Sequence, residues 1–210
     1  MRRLTNLAIA VATLAALLSG AWLVRGGGDT NAPPQPSAAQ AARTPVQQSA
    51  RPESAPALPA SPPLRIRIPA IRVNAPLMGL GLTPTGSLDV PPAERENLAG
   101  WYEAGTAPGE TGTAIVAGHV DNADGPSVFY RLGALRKGGA IDVERRDGTV
   151  ARFTVDAVEV YKSANFPDEK VYGAASRPEL RVITCGGGYT PGRGYEGNVV
   201  VFAHLTGSNP

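Results

Sequence analysis

Ile141-Asp142-Val143-Glu144-Arg145-Arg146-Asp147-Gly148-Thr149-Val150-Ala151-Arg152-Phe153 decides the fold class. Ile141 and Val143 alternate with Asp142 and Glu144, the period of two that marks a half-buried strand. Asp147-Gly148 then supplies a hairpin turn, because glycine accepts the positive φ that a tight turn needs. Phe153 to Tyr161 is the return strand. Further out, Leu64-Arg65-Ile66-Arg67-Ile68 alternates apolar and basic residues, and Ile71-Arg72-Val73 continues after Pro69. Thr113 to Ala117 is a short apolar run ending at Gly118-His119. Leu180 to Thr184 and Asn198 to Phe202 are the last two strands. Helical signal is weak, with short helices expected only within Ser127–Leu135 and Asp168–Ala175. Many short strands with Gly and Pro turns make a mainly β domain, a barrel or a sandwich. The closed barrel is preferred.

The remainder of the chain is not globular. Met1-Arg2-Arg3 is basic, and Leu4 to Val24 then runs for 21 residues without a charge. That length suits a membrane-spanning helix, which needs about 20 residues, and exceeds the core of a cleaved signal peptide. Residues 1–25 are therefore expected to be a membrane anchor. Cleavage at the small residues Ser19-Gly20-Ala21 is the alternative. The arginines at positions 2 and 3 place the N-terminus in the cytoplasm and the rest of this single-pass protein outside. Residues 26–63 form a linker. Nine of the 20 prolines lie between Pro33 and Pro63, with almost nothing large and apolar beside them, so disorder is expected there.

Residues 64–210 form the one candidate globular domain. It carries 15 Lys and Arg against 16 Asp and Glu, whereas the whole chain has a net charge of +2. The basic surplus belongs to the anchor and linker, which argues against nucleic-acid binding. The acids are dispersed and no His/Cys/Asp group has ligand spacing, so neither a metal nor another cofactor is expected.

Cys185 is the only cysteine in a chain that reads as exported, where cysteines normally pair as disulfides. It is a partner for another chain, a buried small hydrophobe, or a reactive thiol. Val182-Ile183-Thr184-Cys185-Gly186-Gly187-Gly188 is an apolar strand ending in a thiol, followed by glycines that leave room for a substrate backbone. A cysteine nucleophile needs a nearby proton donor or base, usually histidine. There are two. His119 ends an apolar strand in Ala117-Gly118-His119-Val120-Asp121, while His204 near the C-terminus reads as a core-edge or surface residue with no task. An oxyanion also needs a donor, and Arg193 lies in the glycine-rich loop after Cys185.

At these residues the chain resembles the sortases. Gly112-Thr113-Ala114-Ile115-Val116-Ala117-Gly118-His119-Val120 resembles the family's histidine segment, and Ile183-Thr184-Cys185-Gly186-Gly187 its cysteine box. Tyr195-Glu196-Gly197-Asn198-Val199-Val200-Val201-Phe202-Ala203 resembles its last strand. The stretch Asp124-Gly125-Pro126-Ser127-Val128-Phe129-Tyr130-Arg131-Leu132 is similar to that of the class F sortases of actinobacteria. The resemblance runs from about Leu64 to Leu205 and implies a closed eight-stranded β-barrel. It implies Cys185 as nucleophile, His119 as the donor to the leaving amine, and Arg193 as the arginine that holds substrate. Arg193-Gly194-Tyr195 resembles the Arg-Ser-Tyr of class F relatives, which favours Arg193 over Arg181. Thr184 and Gly186 are implied to contact substrate. The implied reaction is transpeptidation of a C-terminal Leu-Pro-x-Thr-Gly-like motif on surface proteins. It passes through a thioester to an acceptor amine such as a peptidoglycan cross-bridge.

Two alternatives carry different expectations. A cysteine hydrolase would pass the acyl group to water, although papain-type enzymes place cysteine before histidine, the reverse of the order here. A non-catalytic anchored β-domain would keep Cys185 as an inert buried thiol.

Overall fold

The computed structural model describes residues 32–42 and 53–209. The apolar stretch Leu4–Val24 lies outside them. Among the described residues no helix is long and apolar enough to cross a membrane.

The strands are β1 (Pro63–Ile68), β2 (Val73–Leu80), β3 (Ala99–Tyr102), β4 (Gly112–Ala117), β5 (Asp121–Asn122), β6 (Gly125–Pro126), β7 (Ala140–Arg145), β8 (Val150–Lys162), β9 (Pro178–Thr190) and β10 (Gly194–Asn209). Eight of them close a barrel in the order β1-β2-β3-β4-β9-β10-β8-β7, and β7 pairs back onto β1. β5 and β6 make a separate two-stranded ribbon. The hairpin expected at Asp147-Gly148 joins β7 to β8, with Ile141 opposite Phe153 and Gly148 at φ 87°. Most pairs are antiparallel, but β4 runs parallel to β9, with Ala114 opposite Leu180 and Ala117 opposite Ile183.

Alternation fills the barrel. Ile66, Ile68, Val116, Ile141, Val143, Phe153, Leu180, Val182, Val199 and Val201 point inward and are buried. The opposite faces of β4, β9, β10 and β8 carry a second apolar layer of Ile115, Ile183, Val200, Phe202 and Ala157. It is covered by Val171 of the short helix Asp168–Tyr172. These strands are therefore buried on both faces, which is why Thr113–Ala117 and Asn198–Phe202 read as nearly continuous apolar runs.

Some expectations change. β2 continues to Leu80, and β3 was not legible in the sequence. Gly100 of β3 lies so close to Leu80 that a Cβ there would fall 2.3 Å from the leucine Cγ, so the strand needs a residue of low β propensity. Ser127–Leu135 forms turns and a 3-10 turn at Leu132–Ala134 rather than an α-helix. The helix expected over Asp168–Ala175 stops at Tyr172. At Gly173 the chain leaves helical geometry, and a Cβ there would lie 2.2 Å from the Glu169 carbonyl oxygen.

Part of the linker read as disordered is ordered on the barrel. Ala55 N–H donates to Leu205 O and Leu58 N–H to Gly109 O, at 2.9 and 2.8 Å. The fully buried Arg145 guanidinium donates to the Pro59 and Pro108 carbonyls and to Asp147. Earlier in the chain, Gln40 Oε1 accepts from Lys137 N–H and Glu159 Oε1 accepts from Ala42 N–H, at 2.8 and 2.9 Å. The globular unit thus begins well before Leu64. Proline-rich chain is already extended and stiff, so docking it costs less conformational entropy than docking a flexible one.

Candidate active site

The parallel pairing of β4 with β9 builds the site. Gly118 N–H donates to Ile183 O at 3.2 Å, one step beyond the end of β4. The buried Thr184 hydroxyl donates back to Gly118 O at 2.8 Å. His119 and Cys185 follow these two residues on neighbouring strands, which lie about 4.8 Å apart. Gly118 has to be a glycine, because a Cβ would sit 2.7 Å from Val128 and 2.8 Å from Phe129.

The His119 ring makes a 2.7 Å hydrogen bond from Nε2 to the carbonyl of Pro91. A carbonyl only accepts, so Nε2 carries a proton. The histidine segment is braced further by Phe129 N–H on His119 O at 3.0 Å and by the Asn122 amide on Ala93 O at 2.8 Å.

Cys185 is exposed on β9 two residues beyond its last pairing with β4, opposite Asn198 of β10. Protein packed around the sulfur still removes water from it, and Asp121 lies near enough for its charge to act. Burial first, then the carboxylate, pushes the thiol pKa up. β9 runs on to Thr190, still paired with β10 after a register shift, and Gly187 and Gly188 adopt φ 83° and 111°, a region that favours glycine.

Arg193 sits in the exposed turn between β9 and β10, where its N–H donates to Thr190 O at 2.9 Å. Its side chain has no hydrogen bond or ion pair among the described residues. Arg181 is the opposite case. It is buried, donates to Glu179 at 2.7 Å and stacks 4.7 Å from the centre of the Phe202 ring. Burial opposes ionisation of Glu179, but hydrogen bonds from Arg177 and Arg181 outweigh it and hold the carboxyl below its usual range.

Two expected substrate contacts need correction. Thr184 is buried and its hydroxyl is committed to Gly118. Gly186 is also buried, and a Cβ there would lie 2.7 Å from Val199 inside the barrel. Both residues shape the site from behind. His204, read as a core-edge or surface residue without a task, is buried and bonded to Asp156 at 2.8 Å. Missing from the sequence reading are Pro91, which orients the histidine, and Asp121 and Tyr195, which bond across the site. Asp121 stood in the quoted histidine segment, but its partner is 74 residues away and nothing local announces the pair.

An open cleft of about 800 Å³ runs over the outer face of β4, lined by Leu82, Leu88, Tyr102, Ile115, Asp168 and Tyr172. Ile115 is paired with Arg181, and Arg181 and Cys185 project from the same face of β9. The cleft therefore lies about four residues, or about 13 Å, along the sheet from the thiol.

A barrel with a histidine and a cysteine at the ends of parallel neighbouring strands defines a cysteine transferase or hydrolase site. The model for the sortase domain matches residues 66–206, so the chain belongs to the sortase family, a family of cysteine transpeptidases. No curated protein matches the sequence. Among solved structures, the chain is similar to sortase A from Corynebacterium diphtheriae, with 21% identity and a TM-score of 0.54, over 72% of this chain and 64% of that one. Sortase A of Listeria monocytogenes shows 17% identity and a TM-score of 0.52, over 72% and 90%. A Clostridium perfringens sortase D5 transpeptidase shows 22% and 0.51, over 70% and 79%. The chain thus spans less than two thirds of the corynebacterial enzyme, and these likenesses bear on the fold.

Proposed function

We propose that this protein is a membrane-anchored sortase of the class F type, held by residues 4–24 with its N-terminus in the cytoplasm and the barrel outside the cell. It cleaves a Leu-Pro-x-Thr-Gly-like motif near the C-terminus of surface proteins. The observation that carries the reading is the β4–β9 pairing, which carries His119 and Cys185 onward from its end, with an open, partly apolar cleft farther along the same face of the sheet. Four extended residues span about 13 Å, so a peptide with its apolar end in the cleft reaches the thiol with its fourth residue.

In this reaction Cys185 passes its thiol proton to His119 as its sulfur attacks the carbonyl carbon of the threonine. The C–N bond to glycine breaks, and His119 delivers a proton to the departing amine. Arg193 donates to the carbonyl oxygen while negative charge builds on it. Its exposed, unpartnered side chain supports that role better than Arg181, which is committed to Glu179. The acceptor amine, for which a peptidoglycan cross-bridge has the right chemistry, then attacks the thioester and regenerates the thiol.

The test incubates the full chain with Leu-Pro-x-Thr-Gly-type peptides, with and without an added amine, and follows cleavage and intact mass. A thioester adduct absent in Cys185→Ala, with ligated product when amine is present, is expected. Adduct that only hydrolyses, whatever amine is offered, would instead make the protein a hydrolase.

A further inference from the structure

The hairpin that carries Cys185 and Arg193 is poorly held by its own sequence. Between Cys185 and Tyr195 it contains Gly186, Gly187, Gly188, Gly192 and Gly194, four of them at positive φ. Glycines lose more backbone freedom on ordering than other residues. Among the described residues, two side-chain hydrogen bonds tie this hairpin to the rest of the protein. Gln35 Oε1 accepts from Gly187 N–H at 3.1 Å. The Tyr195 hydroxyl donates to Asp121 Oδ2, which joins the part of the hairpin beyond Cys185 to the segment that carries His119, as the Thr184 bond to Gly118 does before it.

Both ends of the bond are well anchored. Asp121 lies two residues after His119, in the β5–β6 ribbon, paired with Pro126. Tyr195 pairs with Tyr189 across the hairpin, and their rings meet edge to face at 5.2 Å. Arg193 is two residues from Tyr195, so the bond also limits where the arginine can go.

Building on the transpeptidase reading, we propose that Asp121 and Tyr195 are positioning residues. Their hydrogen bond clasps the hairpin bearing Cys185 and Arg193 against the segment bearing His119. Neither touches the reacting atoms. The clasp keeps nucleophile, proton donor and oxyanion donor in register, which is where a small displacement costs rate.

The experiment uses the full chain and needs no substrate for its first readout. Hydrogen–deuterium exchange is followed for residues 186–194 in wild type, Tyr195→Phe, Asp121→Ala, the double variant and Asp121→Asn. Tyr195→Phe keeps the ring packed on Tyr189, and Asp121→Asn keeps an acceptor oxygen. Exchange in 186–194 should rise about tenfold, the loss of one charge-assisted hydrogen bond, equally in Tyr195→Phe, Asp121→Ala and the double variant. Residues 178–184 should be unchanged, and Asp121→Asn should stay close to wild type. With a cleaved peptide, kcat should fall about tenfold in Tyr195→Phe, KM should change little, and the double variant should be no slower than the worse single. Unchanged exchange in the hairpin, or losses that multiply in the double variant, would overturn the clasp. Because exchange is read without substrate, a protein that cleaves no sorting motif would still show whether the clasp holds the hairpin.

Discussion

Thr184→Val tests whether the cysteine strand is held by its neighbour or merely lies beside it. Valine keeps the shape of threonine but removes the hydroxyl that donates to Gly118 O at 2.8 Å. Thr184 is 4% exposed, so water cannot readily take its place. Weakening the satisfaction of a buried carbonyl costs about 1–3 kcal/mol. For a domain of this size each kcal/mol lowers the melting temperature by about 2–4 °C, so a loss of about 2–12 °C is expected. Turnover should fall about tenfold as well, because the bond spans the two segments that end in His119 and Cys185. Thr184→Ser keeps the hydroxyl and should recover most of both. The assay pairs thermal denaturation with single-turnover cleavage of a sorting peptide. A valine variant that melts early yet turns over at the wild-type rate would refute the positional argument, since the bond would then stabilise without aligning anything.

Four further outcomes are expected. Arg193→Ala should nearly abolish cleavage without loss of stability, and Arg193→Lys should recover it only in part, since lysine lacks the planar fork. Arg181→Ala should chiefly lower the melting temperature, and the reverse pattern in these variants would move the oxyanion role to Arg181. Alkylation of Cys185 should reach half its maximal rate at a pH above that of an ordinary thiol. Burial and Asp121 both disfavour the thiolate, so Asp121→Asn should move that midpoint to lower pH. Glu179 binds its proton less readily in the folded state than in the unfolded one. Its contribution is therefore present above the ordinary carboxylate value and lost as pH falls through the depressed folded one. Glu179→Gln should be less stable than wild type at neutral pH, with the gap closing in acid. His204→Ala should lose stability through the bond to Asp156 while keeping turnover per folded molecule, as measured by melting and active-site titration.

What the sequence revealed follows from how local each signal is. The β7–β8 hairpin was legible because Asp147-Gly148 fixes its turn and the alternation of Ile141 and Val143 fixes its faces. Cys185 and His119 stood out as candidates because each follows an apolar run and lies beside glycine. β3 was hidden because Gly100 serves a close approach to Leu80, a demand set by another strand. The ordered linker was hidden for a similar reason. Composition speaks against a core within Gly26–Pro63, but it does not say that Leu58, Pro59 and Gln40 find partners on the barrel. Thr184 and Gly186 were taken for substrate contacts because they flank Cys185. Alternation along β9 turns the Thr184 side chain to the opposite face from the thiol, and Gly186 packs closely against Val199.

The parallel pairing of β4 with β9 also has a kinetic consequence. Thr184 and Gly118 are 66 positions apart, and a parallel pair needs a long crossover before it can form. Contacts of that range assemble slowly, after the entropy of closing the intervening loop has been met. A newly made chain therefore holds Cys185 and His119 apart until the barrel shuts. The site is therefore completed only when the barrel closes.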